Sequence, residues 1–93
     1  MAGRLEGKVA VITGAGSGIG ASMAELICRE GAKVVAADIS GAQNEVAARI
    51  GAACLPFQAD VSKSADVQAM LNAAITKFGR IDVLVNNAAI DGE

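Results

Sequence analysis

The sequence predicts an α/β protein whose strands form one parallel sheet, and three observations predict it. Short runs rich in Val, Ile and Ala alternate with stretches in which apolar residues recur at helical spacing. The short runs are almost wholly apolar, which is typical of strands buried on both faces of a sheet. Glycines stand where each predicted helix should end, at Gly31, Gly51 and Gly79. Strands that alternate with helices in this way imply right-handed crossovers between parallel strands.

The first strand is predicted at residues 8–13 (KVAVIT). A helix follows the glycine cluster, and its apolar residues are spaced to share one side: Ile19, Met23, Leu26 and Ile27. Gly31 is predicted to end this helix in a left-handed conformation. Residues 32–38 (AKVVAAD) then predict a second apolar strand.

The second helix and the third strand follow in the same order. Residues 42–50 predict the helix, and Gly51 closes it. Three of its apolar residues are predicted to face inward: Val46, Ala47 and Ile50. Residues 53–60 (ACLPFQAD) predict the strand. Pro56 indicates that this strand lies at a sheet edge, because proline cannot donate a ladder hydrogen bond.

The third helix is predicted to begin at Ser62 as its N-cap and to end before Gly79. Its apolar residues recur on one face: Val67, Leu71, Ala74, Ile75 and Phe78. Residues 81–89 (IDVLVNNAA) predict a fourth strand and its exit loop. The order is therefore βαβαβαβ, and the predicted strand order in the sheet is 3-2-1-4.

Composition and charge limit the kind of protein. The 93 residues suffice for one domain, and neither a linker nor a repeat divides them. A net charge of −2 with scattered basic residues argues against a nucleic-acid partner. The apolar runs are too short to span a membrane, and residues 1–8 lack the apolar stretch of a signal peptide. Cys28 and Cys54 match no metal or redox spacing, so we expect reduced thiols in a cytoplasmic protein.

A glycine cluster joins the first strand to the first helix. A helix N-terminus that follows a strand attracts phosphate, because its free N–H groups and its dipole point the same way. Two spacings fit: G-x-G-x-x-A at Gly16, Gly18 and Ala21, and the better G-x-x-x-G-x-G at Gly14, Gly18 and Gly20. The cluster is not a P-loop, since no Lys-Ser or Lys-Thr follows it. Alone, the run is a weak signal, because a glycine-rich turn without a ligand is the alternative.

Asp38 ends the second predicted strand and favours a dinucleotide site. It lies 18 residues after Gly20. This is close to the spacing of ~20 residues expected of the carboxylate that binds an adenosine ribose. Such a carboxylate accepts hydrogen bonds from both ribose hydroxyls and repels a 2′-phosphate. No Arg or Lys lies in the glycine cluster or directly after Asp38, so NAD is favoured over NADP. The alternative is an exposed acid at a strand end.

Four motifs in one order resemble the short-chain dehydrogenase/reductase family. They are TGAGSGIG at residues 13–20, Asp38, ADVS at residues 59–62 and NNAA at residues 86–89. The resemblance extends over nearly the whole chain. It implies a Rossmann-type half-domain spanning residues 1–93, and hydride transfer between a nicotinamide cofactor and an alcohol or ketone.

The resemblance also implies how the adenosine half of the cofactor is held. The Asp60 carboxylate would accept a hydrogen bond from the adenine amino group, with the backbone of Val61 beside it. Ile39 would flank the adenine ring. Asn87 and Ala88 would line the cleft near the adenosine ribose.

Further roles implied by the resemblance concern the middle of the cofactor and the fourth strand. Ser17 and Ile19 would meet the pyrophosphate region, beside the turn of Gly14, Gly18 and Gly20. Asn86 would tie the fourth strand to its neighbours. Ala89 departs from the family, which usually has glycine there.

The chemistry of that family needs a Tyr-x-x-x-Lys pair, a Ser and a further Asn beyond the fourth strand. This sequence contains no tyrosine. We therefore expect the chain to hold no catalytic residues and to be inactive by itself.

Three interpretations remain open. The chain is the NAD-binding part of such an oxidoreductase, or a structural module that self-associates into a homo-oligomer without productive cofactor binding. The apolar run at Val83, Leu84 and Val85 motivates the second, because an open strand edge invites pairing with another chain. The third is a fragment of a longer enzyme, which the loop-like ending AAIDGE favours.

Overall fold

A computed structural model describes residues 4–16 and 18–87. Within these residues, strands and helices alternate in the predicted order. Their bounds are β1 (Val9–Thr13), α1 (Gly18–Arg29), β2 (Lys33–Asp38), α2 (Gln43–Ile50), β3 (Cys54–Gln58), α3 (Ser64–Phe78) and β4 (Val83–Asn86). The four described strands form one parallel sheet in the order β3-β2-β1-β4. The predicted fold class and strand order are confirmed.

The two central strands form the core of the sheet. All five residues of β1 are buried, and so are four of the six residues of β2. Ile12 and Val34 point to the face that α1 and α2 cover, while Val11 and Val35 point to the face that α3 covers. Burial on both faces is the reason these strands read as continuous apolar runs.

The apolar side of α1 is right in part, since Met23 and Ile27 pack against the core as predicted. Ile19 and Leu26 are 71% and 53% exposed, whereas Gly20 and Ala24 are the buried residues of this helix. Small residues four positions apart let the helix backbone lie close to the sheet. The large neighbouring side chains are therefore displaced to the flanks of the contact.

The start of α3 also differs from the prediction. Lys63 is the N-cap, with an extended backbone and no side-chain capping bond, so the assignment of Ser62 was wrong. The Ser62 hydroxyl instead donates to Asp60. The end of the helix is as predicted, since Gly79 follows Phe78 in the left-handed conformation.

The buried face of α3 is right in part. Ala74 is fully buried, but Ile75 is 49% exposed, and Met70, which the pattern did not single out, is 1% exposed. Three of the predicted residues pack against this cluster: Val67, Leu71 and Phe78. The contact line of the helix thus runs along 67, 70, 74 and 78, one position away from Ile75.

The two outer strands lie at the sheet edges. β3 is an edge strand, as Pro56 predicted, and it is shorter than the predicted residues 53–60. β4 pairs with β1 and forms the opposite edge of the described sheet. Val83 and Leu84 are 46% and 52% exposed, so both faces of β4 are largely open.

The two cysteines, Cys28 in α1 and Cys54 in β3, lie in the cluster on the α1 and α2 side of the sheet, and both are free. Cys54 is buried and Cys28 is half-buried. Burial raises the pKa of Cys54 to about 11 and also raises the pKa of Cys28. Both groups are therefore protonated and weakly nucleophilic at neutral pH. Separately, none of the helices in the described part of the chain has the length and hydropathy needed to cross a membrane.

Candidate functional site

The glycine turn between β1 and α1 lies at the carboxyl edge of the sheet, where ligands of open α/β sheets bind. Gly14 and Gly18 have φ angles of +66° and +60°, a conformation that favours glycine. The N–H of Ala15 donates to the Ala37 carbonyl at 2.9 Å and ties the turn to β2. Ser17 lies outside the described residues.

Gly20 brings the first turn of α1 against the strand exit. A Cβ there would overlap the carbonyl oxygen of Gly14 and lie 2.8 Å from Nδ2 of Asn87. The Gly14 carbonyl is backbone and cannot move aside, so only glycine fits at position 20. The first N–H groups of a helix lack intrahelical partners, and α1 carries no acid in its first turn. This arrangement suits an anion.

Gly16 has a role that the sequence analysis missed. Its N–H donates to Oδ2 of Asp38 at 2.8 Å. A Cβ at position 16 would lie 2.7 Å from that oxygen and 2.9 Å from the Cβ of Ala42. The signal in the sequence was the G-x-G spacing of the less favoured register. Glycine at 16 is what lets Asp38 reach the glycine turn.

Asp38 joins the glycine turn to the loop that precedes α2. Its Oδ1 accepts the N–H of Ser40 at 3.0 Å, in addition to the Gly16 bond. Partial burial acts to raise the pKa of this carboxyl, but the hydrogen bonds from Ser40 and Gly16 outweigh it and hold the pKa below its ordinary value. Asp38 is therefore a fixed negative charge at neutral pH, and Ile39 beside it is 58% exposed.

The loop after β3 carries the second carboxylate of the site. Oδ1 of Asp60 accepts both the hydroxyl and the N–H of Ser62, at 2.6 and 3.0 Å. The hydroxyl bond and then the N–H bond of Ser62 lower the pKa of Asp60. The N–H of Ala59 donates to the Asp38 carbonyl at 3.2 Å, which joins this loop to the end of β2. Val61 is half-buried in the same loop.

Thr13 organises the end of β4 and was not singled out as a site residue from the sequence. Its hydroxyl donates to Oδ1 of Asn86 at 3.0 Å and accepts the N–H of Asn87 at 2.9 Å. Nδ2 of Asn87 is 3.4 Å from the carbonyl oxygen of Gly14, to which it donates. The Asn86 bond ties β4 to β1, in line with the role expected of it. Ala88 lies outside the described residues.

Most of the predicted site residues meet at one edge. The glycine turn contacts Asp38 on one side and Asn87 on the other, and the Asp60 loop adjoins Asp38. Ile19 in the first turn of α1 and Ile39 directly after β2 are exposed apolar side chains. The edge thus combines backbone donors that suit an anion, a carboxylate that suits hydroxyl donors, and apolar surface that suits a flat ring.

The sequence matches one family model and many curated proteins. Residues 8–93 match the model of short chain dehydrogenases. Borneol dehydrogenase, mitochondrial, of Lavandula x intermedia is 50% identical over 96% of this chain and 34% of that protein. D-threitol dehydrogenase of Mycolicibacterium smegmatis is 45% identical over 94% of this chain and 35% of that protein. The chain spans about a third of the length of the curated relatives it matches.

Solved structures also match most of this chain but less than half of their own length. The 3-ketoacyl-(acyl-carrier-protein) reductase of Brucella melitensis, complexed with NADH, superposes with a TM-score of 0.90 and 55% identity. That match covers 92% of this chain and 36% of the reductase. Hydroxysteroid dehydrogenase of Escherichia coli gives a TM-score of 0.89 and 40% identity over 96% of this chain and 40% of that one.

Proposed function

The chain belongs to the short chain dehydrogenase family, and on that premise we propose that it supplies the NAD-binding portion of an NAD-dependent oxidoreductase acting on alcohols or ketones. The observation that carries the proposal is the contact between Asp38 and the glycine turn. It places a fixed negative charge beside a helix N-terminus that suits a pyrophosphate.

The pyrophosphate would lie over the turn of Gly14, Gly18 and Gly20, where missing side chains leave room for it. Ser17 and Ile19 would lie beside it. The adenosine ribose would donate its two hydroxyls to Asp38. A 2′-phosphate would place a second anionic group next to the partly buried Asp38 carboxylate. The two would repel each other, so NAD is favoured over NADP.

The adenine would lie between the loops that follow β2 and β3. Its amino group would donate to Asp60, its ring would contact Ile39, and the backbone of Val61 would lie beside it. Asn87 and Ala88 would line the ribose side of the cleft. When bound, the cofactor supplies a nicotinamide that accepts or donates hydride.

Residues 1–93 would form one cofactor-binding half-domain without a complete catalytic centre. No tyrosine is present in the sequence to act as the proton-transferring group that the family uses. The two carboxylates at the sheet edge are held ionised by local hydrogen bonds and serve binding. We expect no alcohol-dependent formation of NADH by this chain above a buffer control. The two free, protonated thiols favour a reducing, cytoplasmic location.

Calorimetric titration with NAD and NADP tests the role of Asp38. The wild-type chain should bind NAD more tightly than NADP. Asp38→Ala should weaken NAD binding at least about tenfold, because hydrogen bonds to a charged group are lost. Glu45→Gln removes the same charge from an exposed position on α2 and should change neither affinity. Equal affinity for the two cofactors in the wild type, or no loss with Asp38→Ala, would contradict the proposal.

A second candidate function rests on the open edge of β4. Two copies would join their fourth strands across a two-fold axis into one continuous sheet, which would bring the Val83 and Leu84 side chains next to those of the second copy. Sedimentation at increasing concentration should then show a dimer, and Leu84→Lys should abolish it. Ala48→Lys, at an exposed position of α2, is the matched control. A monomer at every concentration would contradict self-association. A dimer formed in this way leaves the NAD site open.

A further inference from the structure

Asp66, in the first turn of α3, holds the loop that carries Asp60. Its Oδ2 accepts the N–H of Asp60 at 2.9 Å, in a partly buried contact. Both residues are half-buried. The sequence pattern gave no reason to single out Asp66, because an acid in the first turn of a helix is common for its favourable interaction with the dipole.

The position of Asp66 resembles that of the acid in a capping box. In that motif the third residue of the helix reaches back to the N–H of the N-cap residue. Here the helix begins at Ser64, its N-cap Lys63 lacks a side-chain capping bond, and Asp66 reaches past Lys63 to Asp60. The bond therefore fixes the loop rather than the N-cap.

α3 is a firm support for this bond. Met70 and Ala74 anchor the helix to the sheet, at 1% and 0% exposure. The two bonds from Ser62 to Asp60 lie within the loop and would move with it. Unlike the Ser62 bonds, the Asp66 bond links the loop to an element that is packed against the core. It adds to the bond from the Ala59 N–H to the Asp38 carbonyl, which ties the preceding residue to the end of β2.

We propose that Asp66 is a positioning residue: it fixes the direction of the Asp60 carboxylate and thereby sets the preference of the site for adenine over other purine bases. This inference rests on the proposed NAD-binding function. Asp66 does not touch the cofactor in this scheme. It acts by holding the N–H of Asp60, so that the carboxylate faces a base that donates a hydrogen bond from the position of the adenine amino group.

The test compares NAD with nicotinamide hypoxanthine dinucleotide, in which a carbonyl oxygen replaces the adenine amino group. The wild-type chain should prefer NAD. Asp66→Ala should reduce the ratio of the two affinities at least threefold, mainly by weakening NAD. Asp66→Asn should retain the wild-type ratio, since its amide oxygen still accepts the Asp60 N–H. Ser64→Ala, at an exposed position of the same turn, is the control.

A general loss of stability would weaken both dinucleotides equally, so the ratio separates positioning from folding. If Asp66→Ala does not fold, Asp66→Leu replaces it, because leucine has a similar shape, favours helix and accepts no hydrogen bond. An unchanged ratio in a folded variant that still binds NAD overturns this inference alone. Failure of the wild-type chain to bind NAD overturns the proposed function and this inference with it.

Discussion

Two loops at the same edge of the sheet form the site in opposite ways. The β1–α1 turn depends on missing side chains: Gly14 has a positive φ, Gly16 admits Asp38, and Gly20 leaves no room for a methyl group. The β3–α3 loop depends on side chains that are present, namely those of Asp60 and Ser62 and the Asp66 carboxylate. A change in the first loop should therefore damage the fold and binding together, whereas a change in the second should alter binding alone.

The largest effect is expected for Gly20→Ala. The added methyl would overlap the Gly14 carbonyl, so α1 must shift away from the strand. We expect this shift to lower the free energy of unfolding by about 3 kcal/mol. NAD binding should be lost in parallel. Urea denaturation measures the first effect and calorimetry the second.

The control for Gly20→Ala is Gly41→Ala. Gly41 also has a positive φ, of +90°, but has open space where its Cβ would lie. It should lose about 1–2 kcal/mol from backbone strain alone. Equal losses for the two variants would show that steric overlap at position 20 is unimportant, and the comparison between the loops would fail.

A smaller effect is expected from the charge on Asp38. Its pKa is lower in the folded chain than its ordinary value of 3.8, so it stabilises the fold above that pH. This stabilisation should decline as the pH falls through the still lower folded-state pKa. The Asp38→Asn variant has no carboxylate at this position, so it should lack the loss of stability that protonation of Asp38 causes. Urea unfolding at pH 6 and pH 3 measures it, and Glu45→Gln should behave like the wild type. An identical pH dependence in wild type and Asp38→Asn would refute this assignment.

The smallest effect on the fold is expected for Ser62→Ala. The change removes the hydroxyl that donates to Asp60, so the pKa of Asp60 should rise toward its ordinary value. Stability should change by no more than about 0.5 kcal/mol, as at other exposed positions. Carboxyl NMR titration gives the pKa, and Ser64→Ala should leave it unmoved. A stability loss near that of Gly20→Ala would remove the distinction between the two loops.

Much of the fold followed from local sequence patterns. Periodicity and glycines located all seven described elements, and the burial of β1 and β2 followed from their apolar runs. One error concerns the buried side of α1. Gly20 and Ala24, rather than the larger Ile19 and Leu26, line the contact of α1, because close approach to the sheet depends on small size.

The residue types of the site were predictable from the sequence, but the hydrogen bonds between them were not. Glycines and strand-end acids pointed to the correct edge. The bonds of Gly16 to Asp38, Thr13 to Asn86 and Asp66 to Asp60 depend on how separate segments align in three dimensions. Ser62 shows the limit clearly, since its hydroxyl suits a helix cap equally well and the local sequence does not reveal that Asp60 competes for it.

The placement of β4 beside β1 has a consequence for the order in which the protein forms on the ribosome. Thr13 and Asn86, which join these strands, are 73 residues apart. At roughly 5–20 residues per second, the first strand waits on the order of seconds for its last partner to be synthesised. During that time the strand destined for the centre of the sheet has an unpaired side. Nascent chains are therefore most open to mispairing, and to chaperone capture, just before residue 83 emerges.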